Sequence, residues 1–175
     1  HDPEGWRSFR DYVHGQVREL LSNYGVIDVF WFDGAWPHTQ EDWGGAELVA
    51  MMRSLQPHIL INDRLGASVH DSNIENPGKS RTLGDFGTPE HEIRAENRFW
   101  ESCQVSTWRL WGYTIGERWR PADLLLDFLV TAAGQGGNLL LNVGPTPDGE
   151  LPTPFIERMD AIGRWMDVHG EAIYG

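Results

Sequence analysis

Asp33 closes an apolar run, "VIDVFWF" (26–32), with tryptophans at 31 and 36 on either side of it. A strand core has no use for a bare carboxylate, because burying one is costly unless it is paired or hydrogen-bonded. Asp33 therefore either serves a turn in "DG" or sets a charge at the mouth of a pocket. Two further apolar runs also end in polar residues: Asn62, Asp63 and Arg64 follow "ILI", and Asn142 ends "NLLLN". A carboxylate at a strand's C-terminal end, flanked by aromatics, suits the nucleophile of a retaining glycosidase. That chemistry needs a second carboxyl group about 5–5.5 Å away, to protonate the leaving oxygen. Glu75, Glu90, Glu92, Glu96 and Glu101 all lie in the segment that could supply it, and composition does not choose among them.

The elements that must position these residues follow from periodicity. Phe9, Tyr12, Val13, Val17, Leu20 and Leu21 recur at helical spacing, and Gly25 stands where a left-handed residue ends a helix. The run 26–32 predicts a strand. A second helix carries Leu48, Met51, Met52 and Leu55 and stops at Pro57, ahead of a strand over 59–62. Between Asp63 and Ile93 the pattern dissolves into Gly, Pro, Asn, Asp and Ser, a long loop of the kind that is usually functional or disordered. "FWESCQVS" predicts a third strand, and "NLLLNVGP" a fourth. The helix between them has Pro121 in its first turn. A closing helix places Phe155, Met159, Ile162 and Met166 on one face. Helices alternating with apolar strands predict an α/β fold with a parallel sheet covered by helices. In (β/α)₈ barrels, polar residues at strand C-termini carry the chemistry; four strands make about half of such a barrel.

The 175 residues hold 26 acids against 14 Lys plus Arg, a formal net charge of −12. That balance argues against a nucleic-acid partner, which calls for clustered cations. No apolar run approaches the ~18 residues of a membrane helix. The single cysteine, Cys103, excludes an internal disulfide framework and a thiolate zinc site, and reads as a small buried hydrophobe. No His/Asp/Glu cluster at ligand spacing suggests a metal. Nine tryptophans suit sugar faces as well as cores. The chain begins at "HDPEGW", without an initiator Met or signal pattern, and reads as a piece of something longer; its compartment, cytoplasmic or extracytoplasmic, is unknown.

Taken together and in order, "VFWFDGAW", "ILINDRLG", "GDFGTPE", "WESC", "WGY" and "GGNLLLNVGPTPDGELP" resemble the α-L-fucosidases of glycoside hydrolase family 29. The resemblance implies a retaining exo-hydrolase of terminal α-L-fucose on glycans or glycosides, working without a cofactor. It implies that residues 1–175 are the C-terminal half of a (β/α)₈-like TIM barrel, with the N-terminal half and a C-terminal β-sandwich outside them. Position by position, Asp33 matches the family's nucleophile, Trp31 an aromatic that contacts the sugar, Arg64 an arginine on the sugar ring, and Trp111 a tryptophan near the fucose methyl. An aromatic wall rewards that methyl, carried at C5 where most hexoses carry CH₂OH. For the acid/base the order of preference is Glu90, Glu92, Glu75.

The paired histidine motif of the family has no counterpart, since His1, His14, His38, His58, His70, His91 and His169 are all isolated. Alternatives are a non-catalytic fucose-binding barrel and a retaining hydrolase of a related sugar such as a galactoside. His38 reads as an exposed loop residue, Trp119 and Trp165 as packing residues, and "PTPDGELP" as a turn-rich loop. "GQGGN" follows a helix, so it is no phosphate cradle, which follows a strand.

Overall fold

The computed structural model describes residues 2–35, 37–66 and 83–175, and the chain divides into two compact units, His1–Gly87 and Thr88–Gly175. In the first, helix α1 (Pro3–Asn23) begins at Asp2, whose carboxylate accepts the Gly5 N–H at 3.0 Å. This cap satisfies one of the donors left open at a helix start. Gly25, at φ +84°, follows the last turn in the left-handed conformation expected of it. Of the expected apolar stripe, Val17 and Leu21 are buried, whereas Phe9, Tyr12 and Leu20 are exposed. Helix α1 packs on α2 (Gly45–Leu55), which buries Leu48 and Met52 completely. These side chains join Ile59 and Ile61 in one core.

Strands β1 (Val29–Phe30) and β2 (Leu60–Ile61) pair in parallel, Val29 beside Leu60 and Phe30 beside Ile61. The strand expected over 26–32 thus shrinks to two residues. Side-chain amides take the ladder's place at both ends. Gln56 Oε1 accepts the Ile27 N–H at 2.8 Å, and its Nε2 donates to the carbonyls of Leu21 and Gly25 at 2.9 Å. At the other end Asn62 Oδ1 accepts the Phe32 N–H at 2.8 Å and Nδ2 donates to the Phe32 carbonyl at 2.9 Å. Buried amides whose oxygen and nitrogen are both hydrogen-bonded avoid the cost of an unpaired polar group.

A third strand, β3 (Phe86–Gly87), enters through a parallel bridge between Asn62 and Phe86. It lies inside the stretch expected to hold no element. Asp85 explains it: its N–H donates to the Ile61 carbonyl at 2.7 Å, its Oδ2 accepts the Ile61 N–H at 2.8 Å, and its Oδ1 holds Arg53 at 2.7 Å. A polar clamp, with no apolar run to announce it, fastens this strand.

In the second unit, β4 (Phe99–Val105) and β5 (Asn138–Asn142) pair in parallel from Glu101 beside Asn138 to Val105 beside Asn142. Helix α3 (Ala122–Gly134) packs on β5, and α4 (Thr153–His169) and α5 (Glu171–Tyr174) pack on α3. Pro121 is the N-cap of α3, one position ahead of the first turn expected for it. Trp100, Cys103, Val105, Leu125, Ala132 and Phe155 are buried. Strand β4 is no apolar run, because Ser102, Gln104 and Ser106 are buried alternately with Cys103 and Val105. Ser102 donates to the Glu92 carbonyl and receives Gln104 Nε2, so this polar face is partly wired internally. Parallel strands with covering helices are the expected α/β arrangement. Among the described residues no helix is long and apolar enough to cross a membrane.

Candidate active site

Asp33 follows directly on the Phe32 peptide that Asn62 grips from both sides. Gly34, at φ +74°, follows in the left-handed conformation, which costs glycine little. Asp33 is left with a half-exposed side chain, and Arg64 Nη1 donates to its Oδ1 at 3.3 Å. The Arg64 side chain itself is only 8 % exposed. Its guanidinium carbon lies 4.4 Å from the centre of the Trp31 ring, a cation–π distance that helps offset burial of the charge. Asn62 and Asp63, beside it, are buried as well. The first unit therefore brings together three of the sequence-predicted residues, Asp33, Trp31 and Arg64. A carboxylate oriented by a guanidinium over an aromatic face can present a nucleophilic oxygen and a hydrogen-bonding cation to one polar ligand.

The loop after Asp33 is tied back to α1. His38 is expected as an exposed loop residue; instead its ring stacks on Trp6 at 3.6 Å, and Trp43 meets Trp6 edge-on at 4.8 Å. Trp43 Nε1 donates to the Ala35 carbonyl at 2.8 Å. The Thr39 N–H and hydroxyl hold the Asp42 carboxyl below the usual carboxylate range, with His38 adding to the effect.

In the second unit Glu90 forms a parallel bridge with Cys103 of β4, fixed by the bonds Cys103 N–H to Pro89 carbonyl (2.8 Å) and His91 N–H to Cys103 carbonyl (3.0 Å). Cys103 is buried, as expected. The Glu90 side chain is about a quarter exposed, with Oε1 3.9 Å from His91 Nε2. Glu92 is bound by Arg94 at 2.9 Å and Glu96 by Arg98 at 2.8 Å. Glu101 stands on β4 beside Asn138. Glu75 falls outside the described residues. Trp111 lies 4.9 Å from the His91 ring, so Glu90, His91 and Trp111 form one run of contacts.

The loop carrying Trp111 is set by a glycine after β5. A Cβ on Gly144 would stand 2.2 Å from the Tyr113 nitrogen and 2.4 Å from the Gly112 carbonyl carbon. Backbone lies on backbone there, and only glycine leaves the room. Trp119 bridges to Thr107 and lies under Arg158, and Trp165 meets His169 at 5.0 Å, both as packing residues. Burial pushes the Arg120 guanidinium below its usual value. In "PTPDGELP", Thr146 and Glu150 close a turn through Gly149. Among the described residues no group of His, Cys, Asp and Glu could hold a metal.

Sequence reasoning missed the backbone-holding amides of Asn62 and Gln56, and the place of His91 between Glu90 and Trp111. Asn62 stands at the polar end of an apolar run, so its place was visible though its partner, thirty residues away, was not. His91 gave no signal beyond its place next to Glu90.

A family model described as alpha-L-fucosidase matches residues 1–171. Tissue alpha-L-fucosidase of Bos taurus is 33% identical over 172 residues, an alignment covering 91% of this chain and 34% of that protein. The chain thus spans about a third of the length of the curated relatives it matches. Alpha-L-fucosidase isoenzyme 1 from Paenibacillus thiaminolyticus superposes with a TM-score of 0.83 at 37% identity, over 97% of this chain and 41% of its own. A family 29 alpha-L-fucosidase from Bacteroides thetaiotaomicron, trapped as a covalent intermediate with 2-fluoro-fucosyl fluoride, superposes at 0.81 with 28% identity, over 96% and 41%.

Proposed function

The chain belongs to the alpha-L-fucosidase family, and from that premise we propose that the whole protein is a retaining exo-hydrolase releasing terminal α-L-fucose from glycans or glycosides. Residues 1–175 would supply the C-terminal half of its (β/α)₈ barrel, a reading supported by parallel strands whose polar C-terminal ends carry the candidate residues. One observation carries the chemistry: a buried Arg64 guanidinium lies on Trp31 while its Nη1 reaches Asp33, next to a peptide clamped by Asn62.

In the proposed mechanism an Asp33 oxygen attacks the anomeric carbon as the glycosidic bond breaks. The Glu90 carboxyl gives its proton to the departing oxygen. The fucosyl ester on Asp33 is then hydrolysed by a water that Glu90 deprotonates, which restores both carboxyl groups. Arg64 and Trp31 hold the ring, and Trp111 faces the C5 methyl. Glu90 is preferred over Glu92, the order the resemblance implies, and its backbone is fixed against buried Cys103 by the parallel bridge. Glu75 remains the remaining candidate from the sequence. The covalent intermediate trapped in the Bacteroides relative supports an ester-forming route.

The test is hydrolysis of 4-nitrophenyl α-L-fucoside by the intact protein beside its Asp33→Ala variant. Phenol release should drop by at least about 10³-fold in the variant. Equal release from both would remove Asp33 from the reaction. A 2-fluoro-fucosyl fluoride adduct on the Asp33 peptide, read by mass spectrometry, would exclude a protein that only binds fucose.

A further inference from the structure

His91 has a backbone that its neighbours do not share. At φ +59° it is the one non-glycine residue with a positive φ among the described residues. Histidine tolerates this left-handed region better than most side chains, yet it is uncommon and clusters at functional sites. Its geometric effect is specific. Along an extended strand, successive side chains point to opposite faces, so a regular residue 91 would turn its side chain away from that of Glu90. The left-handed turn breaks the alternation immediately after the Glu90–Cys103 bridge. The imidazole is thereby folded back, with Nε2 3.9 Å from Glu90 Oε1 and its ring 4.9 Å from the Trp111 ring, tilted by 39°. The position is held by the backbone, because the His91 N–H donates to the carbonyl of buried Cys103 on β4.

We propose that His91 is a positioning residue: one imidazole steers the Glu90 carboxyl through Nε2 and braces the Trp111 ring with its face. The inference rests on the reading of Glu90 as acid/base and Trp111 as the C5 wall. A gap of 3.9 Å is too long for a hydrogen bond, and such catalytic contacts often tighten only around the substrate. The arrangement ties proton delivery at the leaving oxygen to recognition at C5 of the same sugar.

The experiment uses the intact protein and two substrates that differ in their need for a proton, phenyl α-L-fucoside and 2,4-dinitrophenyl α-L-fucoside. His91→Phe keeps a ring beside Trp111 and loses Nε2; His91→Gly loses both and relaxes the backbone. If His91 steers Glu90, both variants lose roughly tenfold in kcat/KM on the phenyl glycoside, with less than about a twofold change on the dinitrophenyl one. The preference for an aryl α-L-fucoside over the aryl α-L-galactoside falls about threefold in His91→Gly, on the scale of one misplaced apolar contact, and persists in His91→Phe. A merely structural role would lower both fucosides by the same factor, and that result, or no change in either, overturns the proposal. Glu90→Gln is the separate arm: selective loss on the phenyl glycoside sustains the reading of Glu90. Uniform activity there overturns that reading and this inference with it.

Discussion

Arg64 shows how much a single side chain settles at this site. Its cation lies over the Trp31 ring, reaches Asp33 with one nitrogen, and is itself almost wholly buried. Lysine would keep the charge but could neither stack as a plane nor offer a fork of donors. Losing a partly desolvated cation–π contact costs about 1–2 kcal/mol. Arg64→Lys is therefore expected to lower kcat/KM on 4-nitrophenyl α-L-fucoside roughly tenfold while leaving the circular dichroism of the protein unchanged. An unaltered kcat/KM would take Arg64 out of the sugar contacts. At this scale the sequence was informative, because Asp33, Arg64 and Asn62 all stand where apolar runs end. It was silent on His91, whose meaning lies in one backbone angle, and on Gln56, whose three hydrogen bonds reach back about thirty residues to Leu21 of α1 and to Gly25 and Ile27 between α1 and β1.

Among the elements, helices were more legible than strands. The 3.6-residue period marks α1 and α2 because each presents one face to a shared core. The strands are short, and their pairing is completed by side chains, which no periodicity records. A seven-residue run with six apolar members gave two residues in β1, whereas β3 arose with no apolar run at all because Asp85 clamps Ile61 on both of its backbone groups. The loop bearing Trp111 depends in the same way on an element boundary, the glycine after β5. Gly144→Ala would force a methyl onto the Gly112–Tyr113 backbone. Overpacking of this kind costs about 1–3 kcal/mol, and here it would displace the loop that carries Trp111, the proposed C5 wall. Its expected signature is a loss of preference for the α-L-fucoside over the α-L-galactoside, alongside a lowered Tm. Gly163→Ala, in open space on α4, is the control and should hold both values or raise Tm. An unchanged sugar preference in Gly144→Ala would separate this loop from C5 recognition.

For the whole molecule, the proposed pair of carboxylates makes a statement about stereochemistry. Two displacements at one carbon restore its configuration. Proton NMR of the first minutes of hydrolysis should therefore show the α anomer of L-fucose appearing ahead of the β anomer. If the β anomer came first, one displacement would suffice and Asp33 could not be the nucleophile. The parallel α/β class was legible in the sequence because helices and apolar runs alternate along the chain, and parallel pairing is observed within both units. The division into units at Gly87 and Thr88 was not, since it falls inside a stretch whose composition signals only a loop.

Asn62 gives the peptide before Asp33 its partners through a side-chain amide, standing in for a backbone group. Chemical ageing can reach a side chain of this kind. Deamidation would exchange the donor at Nδ2 for a second oxygen, setting two oxygens against each other at the Phe32 carbonyl. The helices and core would be untouched, so an aged sample could keep its fold and its mass to within one dalton or so while losing the seat of Asp33, the proposed nucleophile. Near-complete burial of Asn62 is thus also a form of shelf life.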